Sequence, residues 1–238
     1  MKKILFCNLL ILIGLLLAGQ TGSESSITVK KTTDFSVSGS GDAGNWNAAE
    51  WITLPLRAGS GKEMTTKFKT LYSEKGIYFL FDCLDKKLTS KMDADFLDLW
   101  TEDVVEVFLW TDESVPVYFE YEISPLGYEL PLLISNEQGE LLRWMPFHYE
   151  ENRKVIHATS VRGGEKKSMA PVTAWTAEFF FPWKLLRPLN NNVPRSGTRW
   201  RANMYRVDYD DNNRNNWTWQ PVTKNFHDYE RFGTLMFE

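Results

Sequence analysis

The sequence has few cysteines, and none of them predicts a disulfide bond. Of the two cysteines, Cys7 lies in an N-terminal apolar run and Cys83 lies in the apolar segment 77–84. Because Cys7 is expected to leave with a cleaved leader, Cys83 would be the single thiol of the mature chain. Its apolar neighbours favour a buried, inert side chain. Without a disulfide, the stability of the fold must come from a hydrophobic core. Residues 23–238 are long enough to form one sizeable domain with such a core.

The sequence also has only one long hydrophobic run, at residues 4–18. This run is shorter than the about 20 residues that a transmembrane helix needs, and it lies between Lys2-Lys3 and a small, polar stretch at 19–23. That order is typical of a secretory signal peptide, which we assign to residues 1–22. Gln20, and not cysteine, follows Leu17-Ala18-Gly19, so we expect a secreted or periplasmic protein without a lipid anchor or a transmembrane helix.

A basic excess is absent as well. The formal net charge is -4, and loss of Lys2 and Lys3 with the leader makes it -6. An acidic chain is a poor ligand for phosphate backbones, so nucleic acid is not expected as a partner.

Catalytic signatures are missing too. The three histidines, His148, His157 and His227, are scattered, and there is no His-Glu-x-x-His metal motif or Ser-His-Asp pattern. We therefore expect a protein that is not an enzyme. A glycosidase remains an alternative because it needs only two spaced carboxylates, although nothing in the sequence singles out such a pair.

What the sequence does contain is period-two alternation over many short segments. The clearest segments are 65–72, 77–84, 103–110 and 117–123, and further strands are indicated at 154–159, 172–181, 198–209 and 233–237. No convincing amphipathic helix of three turns is present. The pattern predicts an all-β fold, an antiparallel two-sheet β-sandwich of jelly-roll or immunoglobulin-like type, as a single domain.

Several motifs occur in an order that resembles the family 9 carbohydrate-binding modules. An opening Asp42-x-x-x-Trp46 is followed by GIYFLF at 76–81 and WTEDVVEVF at 100–108. WTAE at 175–178, FPW at 181–183 and RFGTL at 231–235 complete the series. The resemblance covers residues 34–238 and implies a β-sandwich that binds glycans without cleaving them.

The resemblance also implies where the sugar lies, between two aromatic walls at one end of the sandwich. Trp100 matches one wall, and Glu106 matches an acid that contacts sugar hydroxyls. The family's second tryptophan is missing, so Phe226 is its expected substitute, with Trp219 as a neighbouring candidate and Asn225 as a hydroxyl partner. Flat rings suit the apolar faces of a pyranose, and carboxylates and amides suit its hydroxyls.

Other interpretations of these residues remain open. Glu106 lies on an apolar strand face and could be a buried acid paired with Arg206 or Arg201. We expect three further tryptophans in the core, because they lie in predicted strands or directly after one: Trp175, Trp183 and Trp200.

Three further interpretations concern the chain as a whole. The missing tryptophan, and the absence of a basic residue in 117–123, leave a protein-interaction scaffold as an alternative to a glycan-binding protein. A haem-binding electron-transfer subunit with ligands such as Met204 and His227 is another. Acidic clusters at 93–95 and 208–211 are either solvated loops or ligands of a structural calcium ion, and no metal ligand is assigned.

Overall fold

The computed structural model describes residues 25–138, 140–210 and 213–238. The predicted signal peptide lies outside the described residues. Fourteen strands form in the described part of the chain: β1 (Ser26–Lys31), β2 (Ile52–Leu54), β3 (Leu56–Ala58), β4 (Thr66–Tyr72), β5 (Gly76–Leu84), β6 (Val104–Trp110), β7 (Val117–Ile123), β8 (Glu129–Glu137), β9 (Glu140–Pro146), β10 (Ile156–Arg162), β11 (Ala174–Pro182), β12 (Arg199–Asp208), β13 (Asn215–Thr218) and β14 (Gly233–Phe237).

Helical structure in these residues is limited to short 3-10 turns. They span Gly44–Ala48, Leu99–Thr101, Glu151–Arg153 and Tyr229–Arg231. Within the described residues, no helix has the length and apolar character that a membrane crossing requires. The all-β prediction is confirmed.

The strands form two sheets that share one strand. The first sheet has the order β10-β11-β5-β4-β1, with β2 on β4, and the second has the order β1-β14-β12-β6-β7-β8-β9, with β13 and β3 alongside β12. Residues 26–29 of β1 pair with β14, and Lys30 and Lys31 pair with β4. Both of these pairings are parallel, so the antiparallel expectation holds for the other strand pairs and is corrected at β1.

The main core lies between the two sheets, as in a sandwich. Inward side chains of β7 meet those of β11: the Phe119 and Phe181 rings lie 5.3 Å apart, and those of Tyr121 and Phe179 lie 5.0 Å apart. Burial of such large rings supplies much of the stabilisation that disulfides would otherwise provide. Cys83 is buried in the same core and is a free thiol.

A second apolar cluster covers the outer face of the second sheet. It combines strand residues that point away from the main core, such as Val104, Phe108 and Tyr118, with Phe232 from the C-terminal segment. Successive strand residues point to opposite faces, so Val105, Val107 and Leu109 of β6 point to the main core instead. This outer face carries the candidate functional site.

Candidate functional site

A cavity of about 500 Å³ opens on the outer face of the second sheet, and we call it the outer-face cavity. Its floor comes from β6, β7 and β8, and its walls come from β9, β13 and loop segments. The volume is within the range of small-molecule sites. The cavity is lined by Asp98, Trp100, Glu106, Phe108, Glu120, Glu122, Leu130, Leu132, Leu141, Trp144, Arg214, Asn216, Val222, Lys224, Asn225, Phe226 and His227.

Three glutamates form the polar part of the floor. Glu106 on β6 lies directly opposite Glu122 on β7, and Glu120 is two residues from Glu122 on the same face. All three side chains are buried. Glu106 Oε1, Glu120 Oε2 and Glu122 Oε2 have no hydrogen-bond partner among the described residues. Buried polar atoms are normally satisfied, so these oxygens are available to a bound molecule.

Burial makes ionisation of these glutamates costly. It raises the pKa of Glu120 to about 8. Burial also raises the pKa of Glu106, with a further rise from Glu120, and it raises that of Glu122, with further rises from Glu106 and Glu120. Desolvation and like charges both disfavour a carboxylate. These shifts favour protonated carboxyl groups on the floor.

His227 closes one side of the floor. Its Nδ1 lies 2.9 Å from the Tyr118 hydroxyl and 3.7 Å from Glu120 Oε2. Burial lowers the pKa of the imidazole to about 4. His227 is thus neutral near pH 7 and does not supply a positive charge to the glutamates.

Exposed aromatic rings stand around the rim. Trp100 is 45% exposed and Trp144 is 50% exposed, which is unusual for side chains of this size. Leu99, buried beside Trp100, anchors the turn that carries it, and Trp144 lies on β9 opposite Ile134 of β8. Two exposed indoles at one cavity form a surface suited to an apolar ligand face.

The loop that carries Phe226 is held by hydrogen bonds. The Tyr205 hydroxyl donates to the Phe226 carbonyl at 2.7 Å, and the two rings stack with centroids 4.1 Å apart. The His227 amide donates to Asn225 Oδ1 at 2.9 Å. Because Oδ1 is used in this way, the side-chain nitrogen of Asn225 is the atom that can donate a hydrogen bond to a ligand.

The structure brings four of the five predicted site residues to one cavity and leaves out the fifth. Trp100, Glu106, Asn225 and Phe226 all line it. Trp219 is buried in the main core, where its ring lies 6.5 Å from that of Phe68. Trp219 is therefore not a wall of this cavity. The cavity also lies on a sheet face, and not at the end of the sandwich, where the resemblance placed the sugar.

The structural alternative for Glu106 is not realised. The Arg206 guanidinium bonds to Asp85 and Asp208, and Arg201 lies 3.5 Å from Glu113. The core assignment of Trp175, Trp183 and Trp200 is confirmed, since all three are buried between the sheets.

Sequence reasoning missed several lining residues. Glu120 and Glu122 alternate with Phe119 and Tyr121 in the segment 117–123, and this alternation is the signal that could have placed them beside Glu106. Trp144 was missed because its strand was not predicted. Arg214 and Lys224 bring positive charge to the rim from loop segments.

The two residues considered as haem ligands do not share a site. Met204 is fully buried in the main core, while His227 lies at the outer-face cavity on the other side of the second sheet. A pair of axial ligands must face one another across an iron atom, which this arrangement does not allow.

The predicted acidic clusters are rearranged by the fold. Asp95 accepts a hydrogen bond from the Glu129 amide at 3.0 Å, and Asp211 lies outside the described residues. Asp208 instead joins Asp85 and Asp103, the one group of three acids in the described residues whose oxygens lie within 4.8 Å of one another.

This aspartate group does not fit a calcium ion well. All six of its carboxylate oxygens accept hydrogen bonds within the protein. Arg206 donates to Asp85 at 3.0 Å and to Asp208 at 2.8 Å, and it supplies the positive charge that an ion would bring. Calcium needs six to eight free oxygen ligands.

Comparison with known proteins supports a common fold. The family model described as carbohydrate family 9 binding domain-like matches residues 37–238. A candidate carbohydrate-binding protein from Bacteroides uniformis ATCC 8492 has a TM-score of 0.75 at 18% identity, over 91% of this chain and 100% of that chain. A carbohydrate-binding module of family 9 from Caldicellulosiruptor kristjanssonii, in complex with cellotriose, has a TM-score of 0.64 at 16% identity, over 90% and 94%.

One curated protein matches over a shorter segment. The UPF0462 protein C4orf33 homolog of Mus musculus is 28% identical over 93 residues, which are 39% of this chain and 39% of that protein. The chain thus spans about two fifths of the length of that relative.

Proposed function

The chain belongs to the carbohydrate family 9 binding domain-like family, and from this premise we propose that it is an exported, non-catalytic protein that binds a polysaccharide or oligosaccharide in the outer-face cavity. Fold alone does not fix function. The proposal therefore depends on the side chains of the cavity.

The observation that carries the proposal is the combination of exposed rings with unsatisfied polar groups. Trp100, Trp144 and Phe226 offer flat apolar surface, and the floor offers carboxyl groups with free oxygens. A sugar has apolar C–H faces and a polar rim, so it satisfies both kinds of group at once. We assign the stacking role to these rings and the hydroxyl contacts to Glu106 and Asn225.

Oligomers of β-linked glucose are the first ligands to test. The family 9 module from Caldicellulosiruptor kristjanssonii was solved with cellotriose and with glucose. Trp100 and Trp144 are exposed at the rim of the outer-face cavity, so a chain of several sugar units can extend beyond it.

Glycoside hydrolysis is a second candidate, because the fold gathers three carboxyl groups that the sequence did not pair. Hydrolysis of this kind uses a protonated acid together with an ionised carboxylate. Burial raises the pKa of Glu106, Glu120 and Glu122 alike, so no member of the set is held ionised. Incubation with cello-oligosaccharides should produce no new reducing ends, and their appearance would favour the hydrolase.

The experiment that tests sugar binding is calorimetric titration of the mature chain with cellotriose and with xylan and pectic oligosaccharides, with and without calcium. Trp100→Ala and Trp144→Ala should each weaken binding about tenfold, since loss of a stacked ring and its buried apolar surface costs about 1.4 kcal/mol. Trp51→Ala is the matched control, because Trp51 is 38% exposed but does not line the cavity. Failure to bind any glycan would favour the scaffold.

Export is the part of the proposal that depends on residues 1–22. Lys2 and Lys3 followed by the apolar run 4–18 have the order of a secretory signal. Mass spectrometry of the protein recovered outside the cytoplasm of its host should show a chain that begins between residues 20 and 24. An uncleaved chain in the cytoplasm would contradict export while leaving sugar binding intact.

A further inference from the structure

A neutral sugar does not explain why three glutamates are buried together in the outer-face cavity. One carboxyl group is enough for a pair of hydroxyls, because it offers two hydrogen-bonding atoms. Glu106 and Glu122 are direct cross-strand neighbours, and like charges in that position are destabilising. Glu120 adds a third acid to the same face.

The protein does not neutralise these acids from within. The one ion pair recorded for them in the described part of the chain joins Glu120 to His227, and it needs a protonated imidazole, whose pKa burial lowers to about 4. The cationic groups that face the floor are Arg214 and Lys224, and both are exposed at the rim. Asp98 adds a further acid there. The interior of the cavity is thus acidic and its outer edge carries the basic groups.

The Arg214 side chain is held at the rim by other contacts. Its Nε donates to Asn216 Oδ1 at 3.1 Å, and its guanidinium lies 5.9 Å from the Phe226 ring and 6.0 Å from the Tyr209 ring. It lowers the pKa of Glu106, but less than burial and Glu120 raise it. A cation that a ligand brings into the cavity therefore supplies what the floor needs for its carboxyl groups to ionise.

A bare metal ion is not the cation that fits this floor. The one described group of three acids with oxygens within 4.8 Å of one another is Asp85, Asp103 and Asp208. Glu106, Glu120 and Glu122 are more widely spread than that, while an ion needs its ligands gathered around a single point. A ligand that carries both a cationic group and hydroxyl groups suits three carboxyl groups that lie apart. Its cationic group can contact one or two of them, and its hydroxyl groups can contact the remaining carboxyl oxygens.

We infer that the outer-face cavity selects sugars with a free amino group, such as glucosamine units, over otherwise identical sugars with a hydroxyl or an acetamido group. An ammonium group donates up to three hydrogen bonds, and its positive charge favours the ionised form of the buried carboxyl groups, which are protonated without it. The rings at the rim hold the pyranose, and Glu106, Glu120 and Glu122 face its amino group. This selectivity rests on the proposed function, since it assigns a substrate class to the same cavity.

The experiment compares three trisaccharides that differ in one substituent: cellotriose, the trimer of N-acetylglucosamine and the trimer of glucosamine. Calorimetric titration is done at low salt and mildly acidic pH, where the amine is protonated. The amino trimer should bind at least about tenfold more tightly than either of the others, since a hydrogen bond to a charged group contributes about 1.5 kcal/mol or more. Added salt should reduce this preference.

Isosteric variants test whether the glutamates cause the preference. Glu120→Gln and Glu122→Gln keep the size of the side chain and should fold, and each should reduce the ratio of the affinity for the amino trimer to the affinity for cellotriose. Glu140→Gln, on β9 and outside the cavity lining, is the control and should leave the preference unchanged.

Two outcomes overturn the inference and are distinguishable. If cellotriose binds as tightly as the amino trimer, and the glutamine variants leave the ratio unchanged, amine selectivity is wrong and sugar binding stands. If no trimer binds to the folded protein, the proposed function fails together with the inference.

Discussion

Arg206 shows how one residue joins the two sheets. It belongs to β12 of the second sheet, and its Nη1 donates to the Leu84 carbonyl at 2.7 Å and to the Thr66 hydroxyl at 3.1 Å, both in the first sheet. Its Nη2 bonds to Asp85 and Asp208. A fully buried guanidinium is costly unless it is paired, and here two carboxylates, a backbone carbonyl and a hydroxyl accept hydrogen bonds from Nη1 and Nη2.

Substitution of Arg206 by methionine should therefore be strongly destabilising. The variant leaves Asp85 and Asp208 buried without their cation, and we expect a loss of about 3–5 kcal/mol in the free energy of unfolding. Urea denaturation followed by fluorescence measures this. Arg162→Met is the matched control, because Arg162 pairs with Asp82 at the surface and its loss should cost about 1 kcal/mol or less. Equal losses in the two variants would show that the buried ion pairs of Arg206 contribute no more than a surface ion pair.

At the scale of elements, the period-two alternation of side chains along the sequence correctly predicted four of the strands. The predicted segments 65–72, 77–84, 103–110 and 117–123 correspond to β4 to β7 within one residue at each end. The hairpin of β8 and β9 was not predicted, because Pro131 interrupts the pattern of β8 and proline normally argues against an internal strand. Trp144 was lost from the predicted site with it.

The loop at residues 38–41 is a second element that the sequence did not reveal. The amides of Ser38, Gly39 and Gly41 donate to one oxygen of Glu178 on β11, and the Trp46 indole donates to the other. Glycine at 39 has φ of +86°, and a Cβ there would lie 2.9 Å from the backbone of Ala158. Contacts so distant in sequence leave no local signal.

Replacement of Gly39 by alanine, compared with the same replacement of Gly197, should separate the cost of steric crowding from the cost of backbone strain. Gly197 has φ of +84°, and a Cβ added there would have nothing within 4 Å, so Gly197→Ala should cost only the left-handed conformation, about 1–2 kcal/mol. Gly39→Ala adds the collision with β10 and should cost at least about 1 kcal/mol more. Thermal unfolding of the two variants checks the difference. Equal melting temperatures would indicate that the loop can move away from β10.

At the scale of the whole molecule, the second sheet is buried on both faces, and this arrangement creates the site. Its inner face builds the main core, and its outer face holds the second cluster and the outer-face cavity. Alternation in β6 and β7 predicted which residues share a face. It could not predict that segments near Trp100 and Phe226 fold over the outer face, because loop positions depend on contacts such as that of Tyr205 with Phe226.

The ten tryptophans give this architecture a spectroscopic test. Seven of them are buried, while Trp51, Trp100 and Trp144 are exposed. A saturating sugar that covers the outer-face cavity should shield Trp100 and Trp144 from acrylamide and reduce the quenchable fraction of the fluorescence. The Trp51→Phe variant should keep this ligand-dependent change, because Trp51 lies beside Lys67 and Lys69 and away from the cavity. A double Trp100→Phe and Trp144→Phe variant should lose it, and its persistence there would place the sugar at another surface.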